Sequence, residues 1–158
     1  MDAMTGIILT DDKDTQLGIL TEKRATAAMP MAGRYRLIDF ILSCMVNSGI
    51  RNVGVATQFN YQSLMDHLGS GKDWDLSRKN SGLYILPPYI GRENTGKNDG
   101  DIDVLYGVRS FIRKTKPDYI VLSRGNTMYN MTFNKALEFH KENHADITVI
   151  YNEDSTIP

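Results

Sequence analysis

Strand-like and helix-like runs alternate along the whole chain, and that alternation constrains the fold more than any other feature of the sequence. GIILT, ending at Thr10, is short, apolar and β-branched, as a buried strand should be. RLIDFILSCMVNSG places Leu37, Ile38, Ile41, Cys44 and Met45 at helical spacing, and Gly49 supplies the stop. NVGVAT reads as a second strand, YQSLMDHLG as a short helix with Leu64, Met65 and Leu68 on one side, and SGLYILPPYI as a third strand broken by Pro87 and Pro88. VLYGVRSFIRKTK reads as one helix closed by Pro117, followed by DYIVLS as a central buried strand. TFNKALEFHKENH then reads as an amphipathic helix through Phe133, Ala136, Leu137 and His140, and DITVIY as a final strand. This βαβα order predicts an α/β fold in three Rossmann-like layers, with a mostly parallel sheet and helices on both faces. Ligands of such sheets bind beyond the carboxyl ends of the strands, so the loops after Thr10, Thr57 and Ser123 are the candidate site.

Composition narrows the partners. A chain of 158 residues that is 41% hydrophobic and 23% charged can bury one sizeable core. Eighteen basic and 19 acidic residues give a net charge of −1, and no basic stripe alternates with aromatics, which argues against a nucleic-acid partner. Asp39, Ser43 and Asn47 break the longest apolar stretches well short of the roughly 20 residues of a membrane span. The single Cys44 cannot form an internal disulfide and reads as a buried helix residue. The amino terminus lacks a basic n-region and a signal-length apolar run, so a cytoplasmic location is expected. GRENTGKNDGDID (91–103) reads as a flexible loop able to act as a lid. NEDSTIP follows a strand without a closing helix, so the chain is expected to be a fragment of a longer protein.

Several signals carry little chemistry. GSGKD lacks the hydroxyl residue after Lys72 and the upstream glycine spacing of a phosphate loop, so it reads as a loop or helix cap. His140 and His144 are four apart, but no Glu follows His140 in H-E-x-x-H order and no third ligand is evident. The eight methionines form no helical stripe and read as core filler, and RKTK reads as a solvated helix end.

The loop after the first strand has the layout of a nucleotide site and the wrong charge. Asp11, Asp12 and Asp14 stand where phosphate requires glycine amides and positive charge, offset only by Lys13. Unit charges about 5 Å apart at an effective dielectric near 20 repel by roughly 3 kcal/mol, so one carboxylate facing a triphosphate weakens binding about a hundredfold.

RATAAMPMAGRYRLIDFILSCMVNSGI resembles the signature R-A-K-P-A-V-P-x-G-G-R-Y-R-L-I-D-F-x-L-S-N-x-x-N-S-G of ADP-glucose pyrophosphorylases, the glucose-1-phosphate adenylyltransferases of bacterial glycogen and plant starch synthesis. The resemblance continues through TQFNYQSLMDHL and YIVLSRGNTMYNMTFNKALEFHKENHADITVIY and so covers nearly the whole chain. It implies that residues 1–158 are the N-terminal part of a nucleotidyltransferase-like domain. Complete members join ATP to glucose 1-phosphate, release pyrophosphate and carry a left-handed β-helix after this domain. In-line attack on the α-phosphorus needs charge neutralisation, positioning and Mg2+ more than it needs a base.

By this resemblance, Asp11, Asp12 and Asp14 replace glycines of the family loop G-G-x-G-T-R-L, while Thr15 and Leu17 are kept and its arginine is Gln16. The lysine of R-A-K-P is Thr26, and the metal-binding aspartate of S-G-D-H is Asn126, with Gly125 kept before it. An amide in place of a carboxylate removes the hard anionic oxygen that magnesium prefers. The resemblance therefore implies a catalytically degenerate, regulatory-type subunit with no catalytic residue of its own, to which neither Mg2+ nor ATP is assigned. A catalytic paralogue would be its partner, in a hetero- or homo-oligomer.

Residual nucleotide binding would fall to Thr15, Gln58, Asp103 and Gly125, since Gln58 matches a family glutamine near the adenine pocket and Asp103 the aspartate of G-T-A-D. The plainer readings are that Gln58 caps a strand end and Asp103 the following helix, and for Asp103 the cap is favoured. Arg34 and Arg36 are the regulatory candidates, because the resemblance places the basic residue at Arg34 in a site for sugar-phosphate effectors. The alternative is that either arginine pairs with Asp39 at a helix start. Two other functions stay open: an active adenylyltransferase whose Asp11, Asp12 or Asp14 bind the metal, and a structural or interaction domain with no ligand.

Overall fold

The structure is a computed structural model that describes residues 3–10, 15–78, 81–88 and 100–152. In chain order it holds β1 (Met4–Leu9), 3₁₀ turns at Thr15–Leu20 and Thr26–Ala28, β2 (Pro30–Met31), β3 (Tyr35–Arg36) and α1 (Leu37–Asn47). There follow β4 (Asn52–Ala56), α2 (Gln62–Leu68), a 3₁₀ turn at Lys72–Trp74, β5 (Leu83–Leu86), α3 (Asp101–Gly107), α4 (Arg109–Thr115), β6 (Tyr119–Arg124) and α5 (Asn134–Glu142).

β5, β4, β1 and β6 lie in that spatial order in one sheet, and every pairing in it is parallel. The order explains the layers. From β1 through α1 to β4, and through α2 to β5, the chain steps in one direction, so right-handed crossovers stack both helices on one face. From β5 to β6 it returns across β4 and β1, and the same handedness carries α3 and α4 to the other face.

The packing agrees. On the first face Ile38, Ile41, Leu42 and Met45 of α1 meet Ile8, Val53, Val55 and, from α2, Leu64 and Leu68. On the second face Val104, Val108 and Phe111 cover Ile7, Leu9 and Ala56. The fold is the expected three-layer α/β arrangement with a mostly parallel sheet. Among the described residues no helix is long and apolar enough to cross a membrane.

Several expectations need correction. DYIVLS is not central: β6 lies at the edge of the sheet formed by the described residues, and Ile120 and Leu122 on its second face are 45% and 47% exposed. Val121 packs into the first core, whereas α3 and α4 cover β1 and β4 but not β6. DITVIY forms no strand; Ile147, Val149 and Tyr151 are exposed, and Thr148 Oγ1 lies 2.9 Å from His140 Nδ1. Strand propensity is realised only through a ladder with a neighbouring strand, and this segment pairs with none of the described strands, although β6 has an open edge. The expected single helix is two, parted at Val108, and it begins at Asp101 within the expected lid, whose residues 91–99 lie outside the described residues. Met65 and Met128 are exposed, so the methionines are not all core filler. On α2 the inward face is Leu64, His67 and Leu68.

Gly54 sets how closely α4 approaches β4, because a Cβ there would lie 2.7 Å from Leu86 Cδ1 and 2.7 Å from Phe111 Cε1. Gly54→Ala is expected to cost about 1–3 kcal/mol by overpacking. Denaturant unfolding should show a lower midpoint at unchanged slope, and an unmoved midpoint would refute the packing.

Candidate functional site

Connections from β1 run toward β4, whereas β6 lies on its other side, so the sheet changes winding direction between β1 and β6. Crevices open at the carboxyl ends of strands beside such a switch. Thr10 is fixed there by its amide (3.1 Å) and its Oγ1 (2.8 Å), both donating to Ala56 O. The Gly125 amide donates to Leu9 O at 2.7 Å, and the Thr57 amide to Leu86 O at 2.9 Å.

Gly125 must be glycine for a reason of space. A Cβ there would sit 2.8 Å from Ala27 Cβ, 3.1 Å from Thr10 Cγ2 and 3.3 Å from Leu9 O. The turn Thr26–Ala28 thus lies directly over the end of β6. The same turn is bound to the loop after β4, where the Ala25 amide donates to Asn60 O at 3.2 Å and Asn60 Nδ2 to Glu22 O at 3.1 Å. Thr26, Gln58, Gly125 and Asn126, far apart in sequence, are therefore gathered at one end of the sheet. Three of them share an unusual state: Thr26 Oγ1, Gln58 Nε2 and Asn126 Oδ1 are buried with no hydrogen-bond partner among the described residues. Buried polar atoms are almost always paired, and leaving one unpaired costs about 1–3 kcal/mol.

The other candidates are placed differently. Asp11, Asp12 and Asp14 lie outside the described residues, as do the side chains of Thr15 and Gln16, whose backbone opens the turn Thr15–Leu20. α3 starts after Gly100, which has no side chain with which to cap it, and Asp103 is exposed within the first turn, where its charge suits the helix dipole. Gln58 does not cap a strand through its Nε2, which has no partner among the described residues. Arg124 at the end of β6 bonds Asp101 at the start of α3 at 2.6 Å, a bridge the sequence did not suggest. Beside it Ser123 Oγ and the Tyr129 hydroxyl are 2.8 Å apart. Burial pushes the Tyr129 phenol above its ordinary value, and the bond to Ser123 opposes that shift, so the phenol stays neutral.

Arg34, Arg36 and Asp39 form a second constellation, about the start of α1. Neither arginine side chain pairs with Asp39, contrary to the simpler expectation. Asp39 Oδ2 accepts from the Arg36 amide (2.9 Å), and Oδ1 lies 2.7 Å from His67 Nε2 on α2. The Arg36 guanidinium donates to the carbonyl (2.5 Å) and hydroxyl (2.8 Å) oxygens of Ser63 on α2. Arg34 borders an open cavity of about 490 Å³, with Tyr35, Phe40, His67, Asp73 and Trp74 among its walls. The His67 role was legible in principle, since Leu64, His67 and Leu68 have the spacing of one helix face.

Comparison with known proteins places this geometry. Residues 5–156 match the model of the family described as nucleotidyl transferase. The chain belongs to the nucleotidyl transferase family. A glucose-1-phosphate adenylyltransferase of Clostridium kluyveri is 43% identical over 148 residues, which cover 92% of this chain and 38% of that protein. The protein of the same name from Thermosipho africanus is 42% identical over 149 residues, 94% of this chain and 36% of the relative. That from Thermotoga maritima is 41% identical over 143 residues, 90% and 34% respectively. The chain thus spans little over a third of the length of these relatives.

Magnesium, which the resemblance implies for active members, does not fit the donors the described residues bring to the carboxyl ends. The unpaired atoms there are an amide oxygen, an amide nitrogen and a hydroxyl, and the Asp101 carboxylate is engaged by Arg124, whereas a divalent hard cation needs anionic oxygens. Among the described residues no three His, Cys, Asp or Glu side chains are grouped to hold a metal.

Asp39→Ala would strand both the Arg36 amide and the His67 ring. The expected loss is about 1–3 kcal/mol of stability, with Asp39→Asn losing less because one oxygen acceptor remains. Equal stability of Asp39→Ala and the parent in denaturant unfolding would contradict this network.

Proposed function

We propose that this nucleotidyl transferase chain is the N-terminal part, residues 1–158, of a nucleotidyltransferase-like domain in a regulatory, non-catalytic subunit of a glucose-1-phosphate adenylyltransferase. It would act in the cytoplasm in glycogen biosynthesis, assembled with a catalytic paralogue. The observation that carries this reading is the pair of neutral side chains at Thr26 and Asn126, whose Oγ1 and Oδ1 have no partner among the described residues, inside a scaffold that otherwise keeps its close packing around Gly125. Transfer of an adenylyl group leans on positive charge and a cation at the phosphates, and neither is supplied by these positions.

A subunit of this kind acts by differential binding: it changes a partner's rate by favouring one of the partner's conformations. Arg34, at the mouth of the cavity beside α1, is the residue we assign to a sugar-phosphate effector, with Arg36 holding α1 to α2 behind it.

The test is pyrophosphate release from ATP, glucose 1-phosphate and magnesium, with the protein alone and mixed with an active adenylyltransferase partner. No release alone, together with altered kinetics or effector response in the mixture, is the expected outcome. Substantial turnover alone would overturn the proposal and direct mutagenesis to Asp11, Asp12 and Asp14 as rebuilt metal ligands. A mixture that behaves as the partner by itself would overturn it in favour of a structural domain. Arg34→Ala is expected to shift the effector concentration for half-maximal response in the mixture, leaving rates without effector unchanged.

A further inference from the structure

We propose that two copies of this chain join along the open edge of β6, antiparallel, so that the four strands of each make one eight-stranded sheet. The two edges of the sheet are built differently. β5 is four residues long, exposes none of its side chains and runs straight into Pro87 and Pro88, which blunt it. β6 is six residues long, holds neither Lys nor Pro, and exposes Ile120 and Leu122. Among the described residues no strand pairs with its outer side, and DITVIY, for all its strand propensity, forms no ladder there. An open apolar edge of this kind is a template for a further strand.

Hydrogen bonds fix which groups face outward. The Tyr119 and Gly125 amides donate inward, to Ala3 O (3.3 Å) just before β1 and to Leu9 O (2.7 Å). Backbone groups of alternate residues point to opposite edges of a strand, so those of Ile120, Leu122 and Arg124 point to the open one. Side chains alternate with the same period, and a second β6 therefore pairs even-numbered residues with even-numbered ones on a shared face. One such register is complementary throughout. It sets Ile120 of one copy opposite Leu122 of the other, Val121 opposite Val121, and Asp118 opposite Arg124 at both ends. The neighbouring registers set Ile120 opposite Arg124, or Asp118 opposite Leu122, and lose that match.

Both end charges are held in place by their own chain, Asp118 Oδ2 by the Ala3 amide (2.8 Å) and Arg124 by Asp101 (2.6 Å). A twofold axis through Val121 makes the contact isologous. On the second face, where α3 and α4 leave β6 uncovered, Ile120 and Leu122 of the two copies shield one another from water. So short a ladder buries less area than an obligate dimer does, and association in roughly the micromolar range is expected.

This inference does not rest on the regulatory proposal, because it is read on this chain with no other protein present. Sedimentation equilibrium over a concentration series is expected to show monomer and dimer in exchange. Monomer at every concentration would overturn the proposal. Ile120→Lys sets a charge against Leu122 of the other copy and is expected to raise the dissociation constant about tenfold or more, with the melting temperature of the dilute protein unchanged. Adding Leu122→Glu places opposite charges across the axis twice and is expected to restore the dimer. Undiminished dimer in Ile120→Lys, or no recovery in the double variant, would show that the copies meet elsewhere. Val121→Cys, treated with a disulfide-forming oxidant, is expected to give a covalent dimer, whereas the parent, whose Cys44 is buried, stays uncrosslinked. Cross-linking of Leu122→Cys in place of Val121→Cys would refute the register.

Discussion

β1 is held on both edges and both faces. It pairs with β4 from Thr5 to Leu9 and with β6 from Met4 to Leu9, while Ile7 and Leu9 point into one core and Ile8 into the other. Parallel strands covered on both sides read as continuous apolar runs, and their backbone polar groups are satisfied only by the ladders on either side. A change in β1 therefore reaches both helical layers at once. The same strand sets where chemistry can happen, because its carboxyl end, Thr10, is bolted to β4 and packed against Gly125 after β6. Close packing at that point holds whether or not the residues beside it carry charge.

That independence of scaffold from chemistry lets a nucleotidyl transferase fold pack closely with uncharged residues at positions 26 and 126. The apolar contacts that seat the turn Thr26–Ala28 over Gly125 need small side chains and a glycine, and they place no demand on charge at positions 26 or 126. Electrostatic catalysis makes the opposite demand, since it works through charges aimed at the phosphates and is lost when those charges go. Fold and activity thus answer to different residues within the same few ångströms.

The turn Thr26–Ala28 also packs against α1 and α2, the two helices joined by the Asp39–His67 and Arg36–Ser63 contacts. One short segment therefore touches the crevice and the helix pair beside the Arg34 cavity. A contiguous chain of packed and hydrogen-bonded groups of this kind is the physical route by which an event at one site can bias another.

The sequence by itself determined the local elements. β1, α1, β4, α2 and β5 were legible because each has a clean period and a stop signal, such as Gly49 with its φ of +81° after α1. The neutral residues at 26 and 126 were legible too, as departures from a long signature. Only the tertiary structure decided what depends on neighbours. An apolar run cannot announce whether both its faces will be covered, so β6 became an edge, and DITVIY was left without a ladder. Asp39 had arginines three and five residues before it, yet its carboxylate met His67, 28 residues away, because α2 packs on α1 and brings that ring to it. The atoms of Thr26, Gln58 and Asn126 left without partners among the described residues were beyond any reading of the sequence. Satisfaction of a buried polar group depends on every atom around it, and those atoms come from segments that only the folded chain brings together.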